Sequence, residues 1–369
     1  MRRHARRILL FAAILFFQFF LFEAGLRTWG TSEAAPAFQG LFTGDPTIGY
    51  RLKPGARTRF TTSEFDTQIV INNAGVRDVE DIGPKPAGER RILILGDSLV
   101  LSVQVQSEQT FSELLEARLN ESPVAARDAP PVRYRVINAG VQGYGPVEEL
   151  LFFRSIVKSL QPDLVLTTLF VGNDAEEAVT SAPKLQDRRA ADVIRESATT
   201  GLRRTVRRSM VLQVLRLRIR SATERLRGFT GPPEAPLQSY AAKPAPRIGA
   251  GLEITRECVR QIAAEASAAG SRTAVVLMPA RFQVDDGDYG RLREAVAEQG
   301  GELVRDGATE RFKSSLSALS LPITDLLVPL RQAPPGPPLF FELNVHLTPR
   351  GHTVVADHLA PFVAGVLGR

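Results

Sequence analysis

Short apolar runs alternate with amphipathic segments from Arg90 onward, and this alternation constrains the fold more than any other feature of the sequence. Thr110 with Glu113 forms a capping box at the start of one segment, and Pro146 suits the first turn of another. The predicted strands are 92–95, 134–138, 164–170, 273–278 and 322–326, and the predicted helices are 110–119, 146–160, 253–269, 306–319 and 349–367. This alternation predicts an α/β fold, a three-layer α/β/α sandwich with a doubly wound parallel sheet.

The pattern of residues at the N-terminus predicts a membrane segment. Four arginines among the first seven residues precede the apolar stretch 8–22, which only Gln18 interrupts. Basic residues followed by an apolar segment are typical of insertion with the arginines on the cytoplasmic side. The stretch is short for a membrane span, so a cleaved signal peptide is the alternative, but Ala-Pro-Ala at 35–37 is a poor cleavage site. We therefore expect an N-terminal membrane helix, an anchor in residues 1–30 that contacts the membrane through residues 8–26. In both cases the rest of the chain is exported.

Positive charge is concentrated in two places. The first seven residues carry four arginines, and residues 184–227 carry 13 basic and 4 acidic residues, although the net charge of the whole chain is only +6. The remainder is therefore acidic, and the composition does not favour nucleic-acid binding. The single cysteine, Cys258, excludes an internal disulfide, and four histidines without a cluster do not predict a structural zinc site.

A small element precedes the main domain, which we place at 88–367, and an insertion interrupts that domain. Short alternating runs with turn signals at Pro54-Gly55 and 72–75 predict a small β-rich accessory element at 44–85. Residues 184–251 form an insertion, with arginine-rich helical spacing up to 227 and an irregular, proline-rich part from 228. We interpret its first part as a solvated helical excursion. A strand at 214–220 and a basic face that rests on anionic lipid or an acidic polymer are the alternatives.

Polar motifs that contain glycine follow three of the predicted strands. They are Gly-Asp-Ser at 96–98, Asn-Ala-Gly-Val-Gln-Gly at 138–143 and Gly-Asn-Asp at 172–174. The carboxyl ends of parallel strands lie along one edge of a sheet, so we expect the three loops to converge in one crevice. Backbone and asparagine amides there can hold a developing oxyanion. Ser98 is the candidate nucleophile, and His346 is a candidate base from the far end of the chain.

In chain order these motifs resemble the four blocks of the SGNH superfamily, the GDSL-type esterases and lipases. The resemblance covers 90–367 apart from the insertion, and it implies the flavodoxin-like arrangement of SGNH hydrolases. It implies that Ser98 is the nucleophile, that Gly143 and Asn173 donate to the oxyanion and that His346 is the general base. A loop-stabilising role is the alternative for Asn173. The implied chemistry requires neither a metal nor an organic cofactor.

The sequence departs from the family pattern just before the histidine. The family usually has an aspartate two or three residues earlier, where this chain has Asn344 and Leu343. Asparagine can accept the imidazole N–H but adds no negative charge. Glu342 or a backbone carbonyl is the alternative partner for the imidazole. His352 is the rival base.

The N-terminal anchor and the blocks 49–54 and 73–78 resemble anchored bacterial members, some of which are linked to acyl groups on envelope polysaccharides. The resemblance implies a membrane-anchored serine esterase whose main domain lies in the periplasm or at the cell surface. Its expected partner is an ester substrate, an O-acyl group of an envelope carbohydrate, cleaved through an acyl-enzyme. The alternatives are an O-acyltransferase and a non-catalytic carbohydrate-binding or assembly protein. The sequence predicts no oligomeric state.

Overall fold

A computed structural model of the chain describes residues 40–121, 132–185 and 235–368. Two antiparallel hairpins come first, in the region for which the sequence predicts a small β element. They consist of β1 (Phe42–Asp45) with β2 (Gly49–Leu52), and β3 (Arg57–Thr61) with β4 (Asp66–Val70). In the turn of the second hairpin, the Thr62 hydroxyl accepts hydrogen bonds from the amides of Glu64 and Phe65 at 3.1 and 3.2 Å. This turn therefore has a defined conformation.

Five parallel strands form the central sheet. They are β5 (Glu89–Gly96), β6 (Arg133–Gly140), β7 (Leu164–Phe170), β8 (Arg272–Met278) and β9 (Ile323–Asp325). Their spatial order is β6-β5-β7-β8-β9, and every neighbouring pair is parallel. The chain leaves β5 towards one edge and then crosses back to the other side, so the strand order reverses beside β5. The predicted doubly wound parallel sheet is confirmed, and the point of reversal is where such sheets bind ligands.

Helices cover both faces of this sheet. They are α1 (Ser98–Leu101), α2 (Phe111–Glu121), α3 (Pro146–Leu160), α4 (Asp174–Ser181), α5 (Pro246–Ala268), α6 (Arg281–Val284), α7 (Asp286–Glu298), α8 (Gly307–Leu316), α9 (Leu327–Arg331) and α10 (Pro349–Leu367). Leu93 and Leu95 pack with α3, α5 and the N-terminal hairpins, whereas Ile92 and Ile94 pack with α2 and α10. Alternate residues of a strand face opposite sides, which divides the core between these two layers.

Helix α5 begins earlier than the sequence predicts. We expected an irregular segment up to 251, but Pro246 occupies the first turn, where its missing N–H costs nothing. Gly251 lies against α4, and a Cβ there would fall 1.7 Å from the Ala175 carbonyl oxygen. Pro246 therefore begins the helix, and Gly251 allows the close packing of α5 on α4. The irregular part predicted for 228–251 therefore ends before Pro246.

Two expectations concern residues outside the described ranges. The membrane segment within 1–30 lies there, and so do residues 186–234, which include nearly all of the arginine-rich part of the insertion (184–227). Within the ranges that are described, no helix is both long enough and apolar enough to cross a membrane.

Candidate active site

Ser98 opens helix α1 directly after strand β5. The Asp97 carboxylate caps this short helix by accepting a hydrogen bond from the Leu99 amide at 2.8 Å. Helix α1 lies so close to strand β6 that a Cβ on Gly140 would fall 2.3 Å from the Leu101 nitrogen. Glycine at this position lets the backbone of the helix touch the strand. The serine is therefore held by main-chain packing at the edge where the sheet reverses.

His346 reaches Ser98 from a loop before α10. Its Nε2 lies 2.9 Å from the Ser98 Oγ, and its Nδ1 lies 2.6 Å from the Asn344 Oδ1. An amide oxygen only accepts, so this contact places the ring proton on Nδ1 and leaves Nε2 to accept the serine proton. The three side chains form the hydrogen-bonded series that a nucleophilic serine requires, with asparagine in the third position.

Desolvation lowers the pKa of His346 to about 4. The imidazole is therefore neutral at physiological pH and can act as a base. Asn344 carries no charge, so it orients the ring without stabilising the imidazolium that forms when the serine proton is transferred. A base with a pKa this low has less driving force for proton abstraction than one near neutrality.

The other candidates near this loop have different contacts. His352 is buried in α10, where its Nδ1 accepts a hydrogen bond from the Phe111 amide at 3.1 Å, and burial lowers its pKa to about 3. The structure thus brings His346, and not the rival His352, to the serine. Within the described residues, the Nδ1 partner of His346 is Asn344 and not Glu342.

The two candidate oxyanion residues follow the strands on either side of β5. Gly143 follows β6 and has a φ of +71°, and a Cβ there would fall 2.9 Å from the Tyr50 hydroxyl oxygen. Asn173 follows β7, and its Nδ2 donates to the Glu177 Oε1 at 2.8 Å. A primary amide has two N–H groups, so one remains after this bond. The sheet thus brings both residues to the edge that carries Ser98, although within the described residues neither is hydrogen-bonded to the serine hydroxyl.

Four carboxyl groups lie beside these loops, three of them buried and that of Glu177 half-buried. Burial raises the pKa of Asp97 to about 6, and burial with repulsion from neighbouring carboxylates raises the pKa of Glu177 to about 8. The pKa values of Glu149 and Asp174 are raised well above the ordinary range for the same two reasons. Neither carboxyl oxygen of Glu149 has a hydrogen-bond partner among the residues described. Ser98 therefore lies next to a desolvated cluster in which Glu149, Asp174 and Glu177 hold their protons at neutral pH.

The N-terminal hairpin region contacts three segments of the candidate site: the loop that carries Gly143, the segment after Ser98 and the loop that carries His346. The Tyr50 hydroxyl donates to the Gln142 carbonyl at 2.7 Å, next to Gly143. The buried Arg77 guanidinium donates to the Leu101 carbonyl at 2.7 Å, to the Val105 carbonyl at 2.5 Å and to the Ser102 carbonyl, all in the segment after Ser98. The Glu64 carboxylate accepts hydrogen bonds from the amides of Leu343 and Asn344.

Sequence reasoning did not assign a role to any of these three residues. It singled out the blocks 49–54 and 73–78 by resemblance alone, and these blocks contain Tyr50 and Arg77. Glu64 carries no local signal, because an acidic residue in a hairpin turn is ordinary. Its partner lies 280 residues away, so only the folded chain shows the contact.

An open cavity of about 590 Å³ lies beside residues 341–346, the loop that carries His346 and is called the histidine loop below. Arg281, Arg331, Arg350 and the proline-rich segment 333–340 contribute to its walls, but Ser98 and His346 do not. No group of three or more His, Cys, Asp or Glu side chains in the described ranges is arranged to hold a metal ion.

Comparison with known proteins places this site in context. A family model described as the SGNH hydrolase-like domain of the acetyltransferase AlgX matches residues 238–367, which include Asn344 and His346. The similar solved structures include TesA, with 14% identity and a TM-score of 0.41 over 75% of this chain and 99% of that chain.

Two further structures are similar at the same level. The esterase EstA from Pseudoalteromonas sp. has 14% identity and a TM-score of 0.39 over 76% of this chain and 100% of that chain. The acetylxylan esterase Axe2 from Geobacillus stearothermophilus has 12% identity and a TM-score of 0.39 over 76% and 94%. Among curated protein sequences, none matches this chain significantly.

Proposed function

Because the chain belongs to the SGNH hydrolase superfamily, we propose that it is an exported serine esterase that removes an O-acyl group from a carbohydrate of the bacterial envelope. The observation that carries the proposal is the hydrogen-bonded series from the Ser98 Oγ through His346 to the Asn344 Oδ1. Such a series activates a serine hydroxyl as a nucleophile at neutral pH. The carbohydrate and the exported location rest on the family match and on the basic, apolar N-terminus.

In the proposed reaction, the Ser98 Oγ attacks the ester carbonyl while the His346 Nε2 takes the hydroxyl proton. The amides of Ser98 and Gly143 and the side chain of Asn173 stabilise the tetrahedral oxyanion, and each such donor contributes about 3 kcal/mol to the lowering of the barrier. His346 then gives its proton to the departing alcohol. Water attacks the remaining acyl-enzyme by the same route and releases the acid and free Ser98.

Transfer to a second sugar is the other candidate function. It differs only in the last step, where a sugar hydroxyl attacks the acyl-enzyme in place of water. The specific observation in its favour is the family match, because that model describes an acetyltransferase domain and includes the histidine loop. A non-catalytic binding role is less well supported, since such a role does not require an oriented imidazole beside a serine.

The test uses the full-length protein in detergent with p-nitrophenyl acetate and with an O-acetylated polysaccharide. We expect turnover and labelling of Ser98 by a fluorophosphonate probe, both abolished in Ser98→Ala. Acetate that appears in solution supports the esterase, whereas acetate that appears on an added unacetylated glycan supports the transferase. Absence of both turnover and labelling would overturn the enzymatic proposal in favour of a binding protein.

A further inference from the structure

The segment that carries Asn344 is held from two sides by opposite charges. The Arg281 Nη1 donates to the carbonyls of Phe341 and Glu342 at 2.8 and 2.6 Å. The Glu64 Oε1 accepts from the Leu343 amide at 2.9 Å, and the Glu64 Oε2 accepts from the Asn344 amide at 2.7 Å. Four successive residues thus have a backbone group bound to one of two charged side chains. Both peptide orientation and position are fixed by these contacts.

The histidine loop has few other means of support. Residues 341–346 lie outside helices and strands, and the Leu343 and Val345 side chains are 76% and 58% exposed. One backbone hydrogen bond, from the Phe341 amide to the His346 carbonyl at 2.9 Å, closes the loop. Apolar burial therefore contributes little to the position of Asn344. The backbone amides on this exposed side would otherwise bind water, which does not fix a direction.

The position of Glu64 is itself well defined. Its neighbour Phe65 contacts the Phe341 ring at a centroid distance of 5.4 Å and stacks on Phe60 at 5.9 Å. The Thr62 hydroxyl fixes the turn by accepting from the Glu64 amide. The aromatic contacts bring the β3–β4 turn to the histidine loop, and the carboxylate then meets the two amides. Two carboxylate oxygens match two successive N–H groups, as in anion-binding turns.

We propose that Glu64 is a positioning residue for the catalytic base: its carboxylate fixes the Asn344 backbone so that the Asn344 Oδ1 stays at the His346 Nδ1. This inference rests on the acyl-transfer function proposed above and adds to it a residue from the N-terminal hairpins. Glu64 touches neither His346 nor the reacting serine. Its effect passes through Asn344, which holds the tautomer and the direction of the imidazole.

The test compares Glu64→Ala and Glu64→Gln with Asp66→Asn in the full-length protein. Asp66 is the matched control, because it is an exposed carboxylate of the same hairpin whose charge pairs with Arg59. We expect Glu64→Ala to lower kcat for p-nitrophenyl acetate by roughly 10- to 100-fold, as small displacements of catalytic groups do, with KM and Tm nearly unchanged. Glu64→Gln keeps one acceptor oxygen and should lose less. Asp66→Asn should behave like the wild type.

A second readout separates this inference from the proposed function. The proton on the His346 Nδ1, bonded to Asn344, should give a downfield NMR signal in the wild type and in Asp66→Asn. Glu64→Ala should weaken or shift that signal, because the ring then exchanges its partner with water. An active wild type with equal kcat in Glu64→Ala would overturn the positioning role. An inactive, unlabelled wild type would instead overturn the proposed function, and an unchanged Nδ1 signal in Glu64→Ala would overturn the positioning role even then.

Discussion

The serine and the histidine of the candidate site are held in place by different means. Ser98 follows a buried strand, and the backbone of its helix packs directly on the neighbouring strand at Gly140. His346 belongs to an exposed loop whose backbone is bound by the charged side chains of Glu64 and Arg281. The nucleophile side therefore depends on main-chain packing, which tolerates little change, whereas the base side depends on a few long-range polar contacts. Changes on the two sides should consequently affect stability and activity in different proportions.

The largest loss of activity should come from substitution of Ser98 or His346. We expect Ser98→Ala or His346→Ala to lower kcat for p-nitrophenyl acetate by on the order of 10⁴-fold or more, because either change removes proton abstraction from the nucleophile. The double variant should be no worse than either single variant, since the two residues act as a unit. Thermal unfolding provides the control, because unchanged Tm values would show that the loss is chemical. His352→Gln, by contrast, should not reproduce this loss of kcat; a loss of the same size at an unchanged Tm would contradict the assignment of His346 as the base.

The free energy of unfolding should be more sensitive to substitutions on the nucleophile side than on the base side. In Gly140→Ala the new methyl group would fall 2.3 Å from the Leu101 nitrogen, so helix α1 must move away from β6. We expect a loss of about 3 kcal/mol in the free energy of unfolding, measured by urea denaturation, together with a loss of activity. Gly290→Ala is the matched control, because Gly290 lies in helix α7 with nothing within 4 Å of its Cβ position. That change should stabilise the protein by roughly 0.5–1 kcal/mol. Equal stabilities for the two variants would contradict the close packing inferred at Gly140.

This contrast also explains how far the sequence could predict the molecule. The strand ends and the motifs at Ser98, Gly143 and Asn173 are local patterns, and parallel strands necessarily align their ends along one edge. Local patterns therefore predicted the sheet, its winding and the edge where these residues meet. The start of α5 was missed because a proline suits both a loop and the first turn of a helix.

Local sequence patterns could not predict the long-range contacts. The bond between Glu64 and the Asn344 amide spans 280 residues, and neither residue type indicates the other. The sequence singled out Arg77 only through the resemblance of the block 73–78. Its three carbonyl partners lie in and after helix α1, and only the folded chain shows that they are near Arg77. Side chains that bind backbone groups leave no sequence pattern, since any residue supplies a carbonyl or an amide. The supports of the histidine loop were therefore beyond sequence analysis, whereas its histidine was not.

The pH dependence of activity should be more sensitive to substitutions on the base side than on the nucleophile side. Desolvation lowers the pKa of His346 to about 4, so kcat/KM should hold at neutral pH and fall as the pH drops through about 4, where the imidazole becomes protonated. Asn344→Asp adds a carboxylate at the Nδ1, which favours the imidazolium and raises the pKa of His346. The acid limb should then move to higher pH, and kcat at pH 7–8 should rise several-fold.

A pH profile of kcat/KM from pH 3.5 to 8 measures this shift. Ser102→Ala changes no charge and serves as the control on the nucleophile side. The Ser102 hydroxyl donates a hydrogen bond to the Leu99 carbonyl at 2.6 Å. Its acid limb should stay where the wild type has it. An acid limb that is unmoved in Asn344→Asp would mean that residue 344 does not orient the imidazole during the reaction.

The carboxyl groups beside Ser98, in turn, should contribute to the pH dependence of stability, with the smallest effect of those predicted. Glu149 is 1% exposed, and burial and neighbouring carboxylates raise its pKa well above the ordinary range. The folded state thus binds more protons than the unfolded state once the pH exceeds the ordinary glutamate pKa. Its contribution to stability is therefore complete at lower pH and is lost as the pH rises towards the raised pKa. Glu149→Gln removes this loss, because the amide never ionises.

We therefore expect Glu149→Gln to raise Tm relative to the wild type, and to raise it more at pH 8 than at pH 5. A difference of 1 kcal/mol corresponds to roughly 2–4 °C for a domain of this size class. Comparison with the wild type at each pH cancels the opposite trend from the buried histidines, whose lowered pKa values cost stability as the pH falls. Glu298→Gln, at the exposed end of α7, should give the same small difference at both pH values. If Glu149→Gln showed no pH dependence relative to the wild type, Glu149 would have to be ionised in the folded protein, and the raised pKa inferred for it would be wrong.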